Sequence, residues 1–184
     1  DIVMPDLTQQ LKEFARSASA DLVGIATPDR FEGLPARENP LSIFPEMTAA
    51  IVIGRRITRG TLRGIEEGTN LALYDNFGYS WLDMQFVAAS TFEVTEWIED
   101  QGWEAVPIFP FPTEAYPQGV AVREGAPAPN VYPDMEKMAV AAGLAEMSYV
   151  RLALSPEFGH RQRWQMILTD APLEADPLLE ENLC

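Results

Sequence analysis

The side chains with the most distinctive chemistry in this sequence are Tyr79, Arg161 and Arg163, the single histidine His160 and the single cysteine Cys184. Tyr79 sits in "FGYSW", just ahead of a long helical pattern, where the backbone dipole slightly favours an anion. A phenol held there beside a guanidinium could give a proton to a carbanion and persist as phenolate; simple packing is the commoner use of such a tyrosine. Arg161 and Arg163 lie two apart at the entry to a predicted strand, so their side chains fall on one face. A guanidinium in that position could hold a carboxylate or phosphate through paired hydrogen bonds, or form an ion pair with one of the 28 acidic residues.

Other chemistries lack their residues. A Ser-His-Asp system would have to use His160, and no G-x-S-x-G context accompanies it. A lone histidine in a turn is ordinarily structural or solvated. One histidine and one cysteine cannot form a His/Cys metal cluster within the chain. No P-loop, dinucleotide-binding glycine fingerprint or zinc-protease helix is present.

The elements that must position these residues follow from periodicity. "LTQQLKEFARSA" places Leu7, Leu11, Phe14 and Ala15 on one helical face, and "ADLVGIA" and "AAIVIGRRI" read as buried strands. From Ser80 to Gln101 the positions Met84, Val87, Ala88, Thr91, Val94 and Ile98 recur at helical spacing, with Gly102 as the stop. "WEAVPIF" predicts a strand. The proline-rich run from Pro107 to Pro133 has little periodicity, and so long an irregular segment either shapes a site or runs over the surface as a solvated loop. Asp134 is placed to cap a short helix closing near Gly143, and "YVRLAL" and "RWQMILT" read as strands around the turn "SPEFGHR". The order predicts an α+β sandwich.

With 184 residues and 47% hydrophobic content, the chain suffices for one packed domain, and no apolar window has the length of a membrane-spanning helix. A net charge of −15 repels phosphate backbones and anionic lipid, which argues against nucleic acid as a partner. A single cysteine excludes an internal disulfide. The first residue is Asp1 rather than Met; a cytoplasmic protein is expected, with an exported form as the alternative.

Three stretches together resemble the cobalamin-dependent reductive dehalogenases and the related epoxyqueuosine reductases: "GYSWLDMQFVAASTFEVTEWIEDQGWEAVP", "AVAAGLAEMSYVRLALSPEFGHRQRW" and "MILTDAPLEADP". They are similar to the tyrosine-led helix with its A-[IV]-P strand, to the A-G-L-G-E and P-E-[FY]-G-x-R segments, and to the T-D-x-P-L lead-in of that family. The resemblance is good from Tyr79 to Cys184 and loose before it. It implies a nitroreductase-like sandwich with a central mixed sheet flanked by helices: a cobalamin-binding domain over residues 1–170, then a lead-in over 171–184 to a ferredoxin-like iron–sulfur segment. Cys184 falls where the first ligand of a 4Fe–4S cluster would lie, so the resemblance implies further cluster cysteines beyond it.

It further implies Tyr79 as proton donor, assisted by Arg161. The corrinoid would be framed by Phe109, by the turn with Gly143, Leu144, Ala145 and Glu146, and by the turn with Ser155, Pro156, Phe158, Gly159 and His160. The expected activity is reductive dehalogenation of a small organohalide, with electrons from a ferredoxin or a fused redox domain. A cobalamin carrier without turnover, an epoxyqueuosine reductase-like enzyme and a flavin-binding nitroreductase-like domain are the rival readings. The sequence departs from the family pattern at Ala145, Ser148 and Tyr149, and "APNVYPD" stands in place of the acidic D-T-G-P motif of the epoxyqueuosine reductases.

Overall fold

The computed structural model describes residues 6–111, 117, 119–180 and 183. Helix α1 (Leu7–Ser17) is capped by the Asp6 carboxylate, which accepts from the Gln9 N–H. It leads into β1 (Leu22–Ala26), and after two short 3₁₀ turns the chain returns as β2 (Ala49–Arg56). Short helices α2 (Arg63–Glu66) and α3 (Ala72–Tyr74) precede two successive π-helical stretches, Asp75–Ser80 and Leu82–Val87. These run into α4 (Ala88–Asp100), followed by β3 (Ala105–Ile108), α5 (Met135–Ala141), the short strands β4 (Glu146–Met147) and β5 (Ala153–Leu154), and β6 (Gln162–Thr169).

The main sheet has the order β1-β2-β6-β3, and β4 pairs with β5 in a separate hairpin. Among the described residues every strand pairing is antiparallel, whereas the expected central sheet was mixed. The α+β class holds. Both faces of the sheet are covered, so β1 and most of β2 are buried without alternation. One face carries Val23, Ile25, Ile51, Ile53 and Ile167 against Leu11 and Ala15 of α1 and Val94 and Ile98 of α4. The other carries Leu22, Val52, Trp164, Met166 and Leu168 against Met138 and Ala139 of α5.

One sequence expectation changes locally. "YVRLAL" forms a strand only at its last two residues, because Ser148 closes a turn: its N–H donates to the Leu152 carbonyl and its Oγ accepts from the Leu152 N–H. Arg151 takes a left-handed φ of 63° in that turn and Tyr149 stands fully in solvent. The acidic run after Thr169 is held against the sheet and α1. Ala171 and Leu173 are buried, and Asp176 accepts from the Ile25 N–H and pairs with Lys12. Arg30 donates to the carbonyls of Ala141 and Asp176, tying this run to the end of α5.

Candidate functional site

The pairing of β3 with β6 ends at Ile108↔Met166, while β2 pairs with β6 as far as Gln162. On the β3 side, the outer edge of Gln162–Gln165 therefore has no strand beside it among the described residues. The chain departs from the sheet at Phe109, whose ring tilts against Phe111 at 4.7 Å, and Phe111 in turn meets Tyr132 at 5.4 Å. An aromatic wall thus stands at the end of β3.

The π-helical stretches cross the sheet over the same half of β6. A π turn takes up an extra residue and rotates the following side chains relative to an α-helix. Leu82, Asp83 and Val87 consequently face inward, while Met84, expected on the buried stripe, is 66% exposed. Side chains of the sheet hold this segment by its carbonyls: Gln165 Nε2 donates to the Asp83 carbonyl at 2.7 Å, and Arg55 Nη1 to that of Phe86 at 2.9 Å.

Asp83 is the centre of the polar cluster. Its carboxylate accepts from both Nε and Nη2 of Arg163, at 2.9 and 2.6 Å, in a paired geometry that fixes the guanidinium plane. The Asp83 side chain is 8% exposed and that of Arg163 30%. Arg163 Cζ lies 4.9 Å from the centroid of the Tyr79 ring, within cation–π range, and Tyr79 is half exposed. Burial works against the Arg163 charge, but the bonded Asp83 carboxylate and the nearby Glu136 outweigh it and leave its pKa raised. Glu136, in the first turn of α5, accepts from the Ala153 N–H. Burial pushes its carboxyl above the ordinary value; the Ala153 N–H and the Arg163 charge oppose the shift without cancelling it.

The cation over the Tyr79 ring is therefore Arg163, where the resemblance implied Arg161. Arg161 precedes β6, where its N–H donates to the Phe158 carbonyl and its carbonyl accepts from Ile57. Asp83 and Glu136 were not singled out by sequence reading. The signal for Asp83 was present as an acidic residue four positions after Tyr79, but α-helical periodicity puts Met84 rather than Asp83 on the buried face.

The residues expected to frame a cofactor are distributed unevenly. Gly143 has a φ of 74°, and a Cβ there would meet the Pro177 carbonyl oxygen at 2.1 Å, so this glycine serves the close approach of the C-terminal run. Leu144 packs toward Gly24, Ala145 is in the core, and a Glu146 carboxylate oxygen accepts from the Leu183 N–H. Ser155 Oγ donates to Gln162 Oε1 and accepts from the Phe158 N–H, while Ser155 and Gly159 exchange backbone hydrogen bonds. Phe158 packs on the core, and Pro156 and His160 are exposed. Of this set, Phe109 follows the last paired residue of β3, and the 155–160 turn leads into Gln162 at the same end of β6. Cys184 lies outside the described residues. Among the described residues no group of three or more histidine, cysteine or acidic side chains is placed to hold a metal ion.

No family model and no curated protein matches the sequence. Solved structures do match the fold. An epoxyqueuosine reductase from Streptococcus thermophilus superposes with a TM-score of 0.65 at 13% identity, over 96% of this chain and 49% of its own. An epoxyqueuosine reductase solved with a modified tRNA stem loop gives a TM-score of 0.60 at 15% identity, over 95% of this chain and 48% of its own. A reductive dehalogenase, whose structure suggests a mechanism for B12-dependent dehalogenation, gives 0.57 at 21% identity, over 99% of this chain and 22% of its own. The chain thus shares the fold of this reductase superfamily, in agreement with the resemblance read from its motifs, and spans about half the length of the first two proteins and under a quarter of the third. One of these neighbours was solved with a tRNA stem loop, whereas the charge of this chain led to no expectation of a nucleic-acid partner. Among the described residues no helix is long and apolar enough to cross a membrane.

Proposed function

We propose that this chain forms the cobalamin-facing part of an oxidoreductase that reduces a small organic substrate, reductive dehalogenation being the favoured reaction, with Tyr79 as the proton donor. The observation that carries the reading is the Arg163 guanidinium fixed over the Tyr79 ring by a buried carboxylate, beside the open end of β6. A positive charge locked in that position stabilises negative charge as it develops on the phenol oxygen during proton transfer, without reorganising at that moment. The half-exposed ring remains accessible to a substrate.

The local surface suits a large macrocycle. Phe109, Phe111 and Tyr132 supply an aromatic wall. Trp164 Nε1 is buried with no hydrogen-bond partner among the described residues. A side-chain amide of a corrinoid is an acceptor that would satisfy such an N–H. Phe109 and Trp164 are accordingly the residues proposed to hold the cofactor, with the exposed turns at Tyr149–Leu152 and Pro156–His160 as further candidates. Bound cobalamin would supply low-potential electrons that side chains cannot. Removal of a halide takes two electrons and one proton: the carbon–halogen bond breaks, halide leaves, and a C–H bond forms with the proton from Tyr79. A 4Fe–4S cluster does not fit this chain alone, since it needs four thiolates and the sequence has one cysteine; the electrons must come from a further redox segment or a separate donor such as a ferredoxin.

An epoxyqueuosine reductase-like role is supported by the superpositions on such enzymes, and the charge of −15 weighs against it in favour of a small-molecule substrate. A nitroreductase-like label for the sandwich, with a flavin in place of the corrinoid, is the remaining alternative. Anaerobic incubation of the full-length protein with cobalamin, followed by gel filtration and a visible spectrum, tests the reading. A co-eluting corrinoid with a base-off spectrum is expected; co-elution of flavin instead, or loss of all colour, contradicts it.

A further inference from the structure

Beside the π-helical segment lies a cleft of about 520 Å³ between the end of α1, the end of β2 and the segment itself. Its lining has a polarity unlike that of the chain as a whole. Arg16, Arg55 and Arg56 face it against one carboxylate, Asp21, in a protein with a net charge of −15. Phe77, Leu82 and Phe86 line the same cleft, and the Phe77 and Phe86 rings lie within 9° of parallel at 6.4 Å.

The three arginines are not equally committed. Arg55 is fixed by its bonds to the Phe86 carbonyl and Ser90 Oγ, so it contributes charge but is already bonded on one nitrogen. Asp21 uses one oxygen to accept from the Arg56 N–H at 2.8 Å, and its other oxygen is only loosely paired with Arg56 Nη1 at 3.6 Å. The Arg16 side chain has no hydrogen-bond or ion-pair partner among the described residues. Two guanidiniums with donors to spare, backed by a third, therefore share one concavity with apolar and aromatic side chains. Ordinary surface arginines in so acidic a protein would find carboxylates, as Arg59 does with Glu66 and Arg63 with Glu67.

We infer that this cleft is a binding site for a small oxyanion carrying an aromatic or apolar body, an aryl phosphate or aryl carboxylate, held by Arg16 and Arg56 at its charged end and by Phe77 at its ring. Guanidinium forks pair with either type of oxyanion, and a mixed lining of a few charged groups with aromatic side chains is the usual composition of a small-molecule pocket. The inference is independent of the proposed cobalamin chemistry, because none of Tyr79, Arg163 and Asp83 lines this cleft.

The test is calorimetric titration of the full-length protein, without cobalamin, with phenyl phosphate, benzoate, inorganic phosphate and the neutral benzamide. Phenyl phosphate or benzoate should bind saturably, whichever is tighter identifying the anionic group, and the affinity should fall as salt is raised. Arg16→Gln combined with Arg56→Gln should weaken the better ligand by about tenfold or more. Phe77→Ala should weaken phenyl phosphate and leave inorganic phosphate unchanged. Absence of saturable binding by both aryl anions overturns the proposal, as does equal binding of benzamide, equal binding of inorganic phosphate, or an affinity indifferent to the double arginine variant. Salt titration of the unaltered protein decides the same question should that variant not fold, since binding insensitive to salt is incompatible with an arginine-held oxyanion.

Discussion

Tyr79, Arg163 and Asp83 act as a unit whose parts have separable effects. Asp83→Asn keeps the shape of the side chain but removes the charge that pairs with the Arg163 fork. With Asp83 buried and Arg163 partly exposed, a loss of about 1–3 kcal/mol in chemical-denaturation stability is expected. Arg163→Lys keeps the charge and loses the fork, so turnover should fall by roughly tenfold while cofactor retention is unchanged. Glu136 has a different signature, because its carboxyl is raised above the ordinary value of 4.5 by burial. Ionising it costs more in the folded state than in the unfolded one, so its contribution favours folding most at acid pH and is lost as pH rises through the raised value. Glu136→Gln does not titrate. Its melting temperature relative to the unaltered protein should rise between about pH 4 and about pH 7; a difference constant over that range would contradict the assignment.

Among the elements, the strands of the main sheet, α1 and α5 were legible because burial on both sheet faces leaves nearly continuous apolar runs, and because Asp134 caps α5 by accepting from the N–H groups of Glu136 and Lys137. The π-helical stretches were not legible. Helical periodicity carries no mark for an inserted residue, so the same pattern that found Val87, Val94 and Ile98 placed Met84 inside and passed over Asp83. The site residue Arg163 was visible as a candidate, but its choice over Arg161 depends on where β6 begins. Gly143 offers a test of how the C-terminal run is held. It combines a left-handed φ of 74° with a carbonyl oxygen 2.1 Å from the position of an added Cβ, so Gly143→Ala should cost roughly 1–3 kcal/mol. The loss should appear as faster hydrogen exchange in the 171–177 run, which packs against this turn, and exchange unchanged there would show that the contact is not restrictive.

For the molecule entire, 28 acidic against 13 basic residues create self-repulsion that the fold relieves only locally, through pairs such as Lys12–Asp176 and Lys137–Glu38. Screening should therefore raise the melting temperature as salt goes from about 20 to about 150 mM, and a fall would mean that the paired charges dominate. The fold places Tyr79 and the clamped Arg163 at the stretch of β6 that β3 leaves uncovered. The function proposed for that arrangement stands or falls on a comparison of the full-length protein with its Tyr79→Phe variant after anaerobic loading with cobalamin, using a chemical low-potential reductant and an aryl halide. Equal corrinoid content is expected, with halide release slowed by about a hundredfold or more in the variant. Equal content with equal halide release would contradict the role assigned to Tyr79.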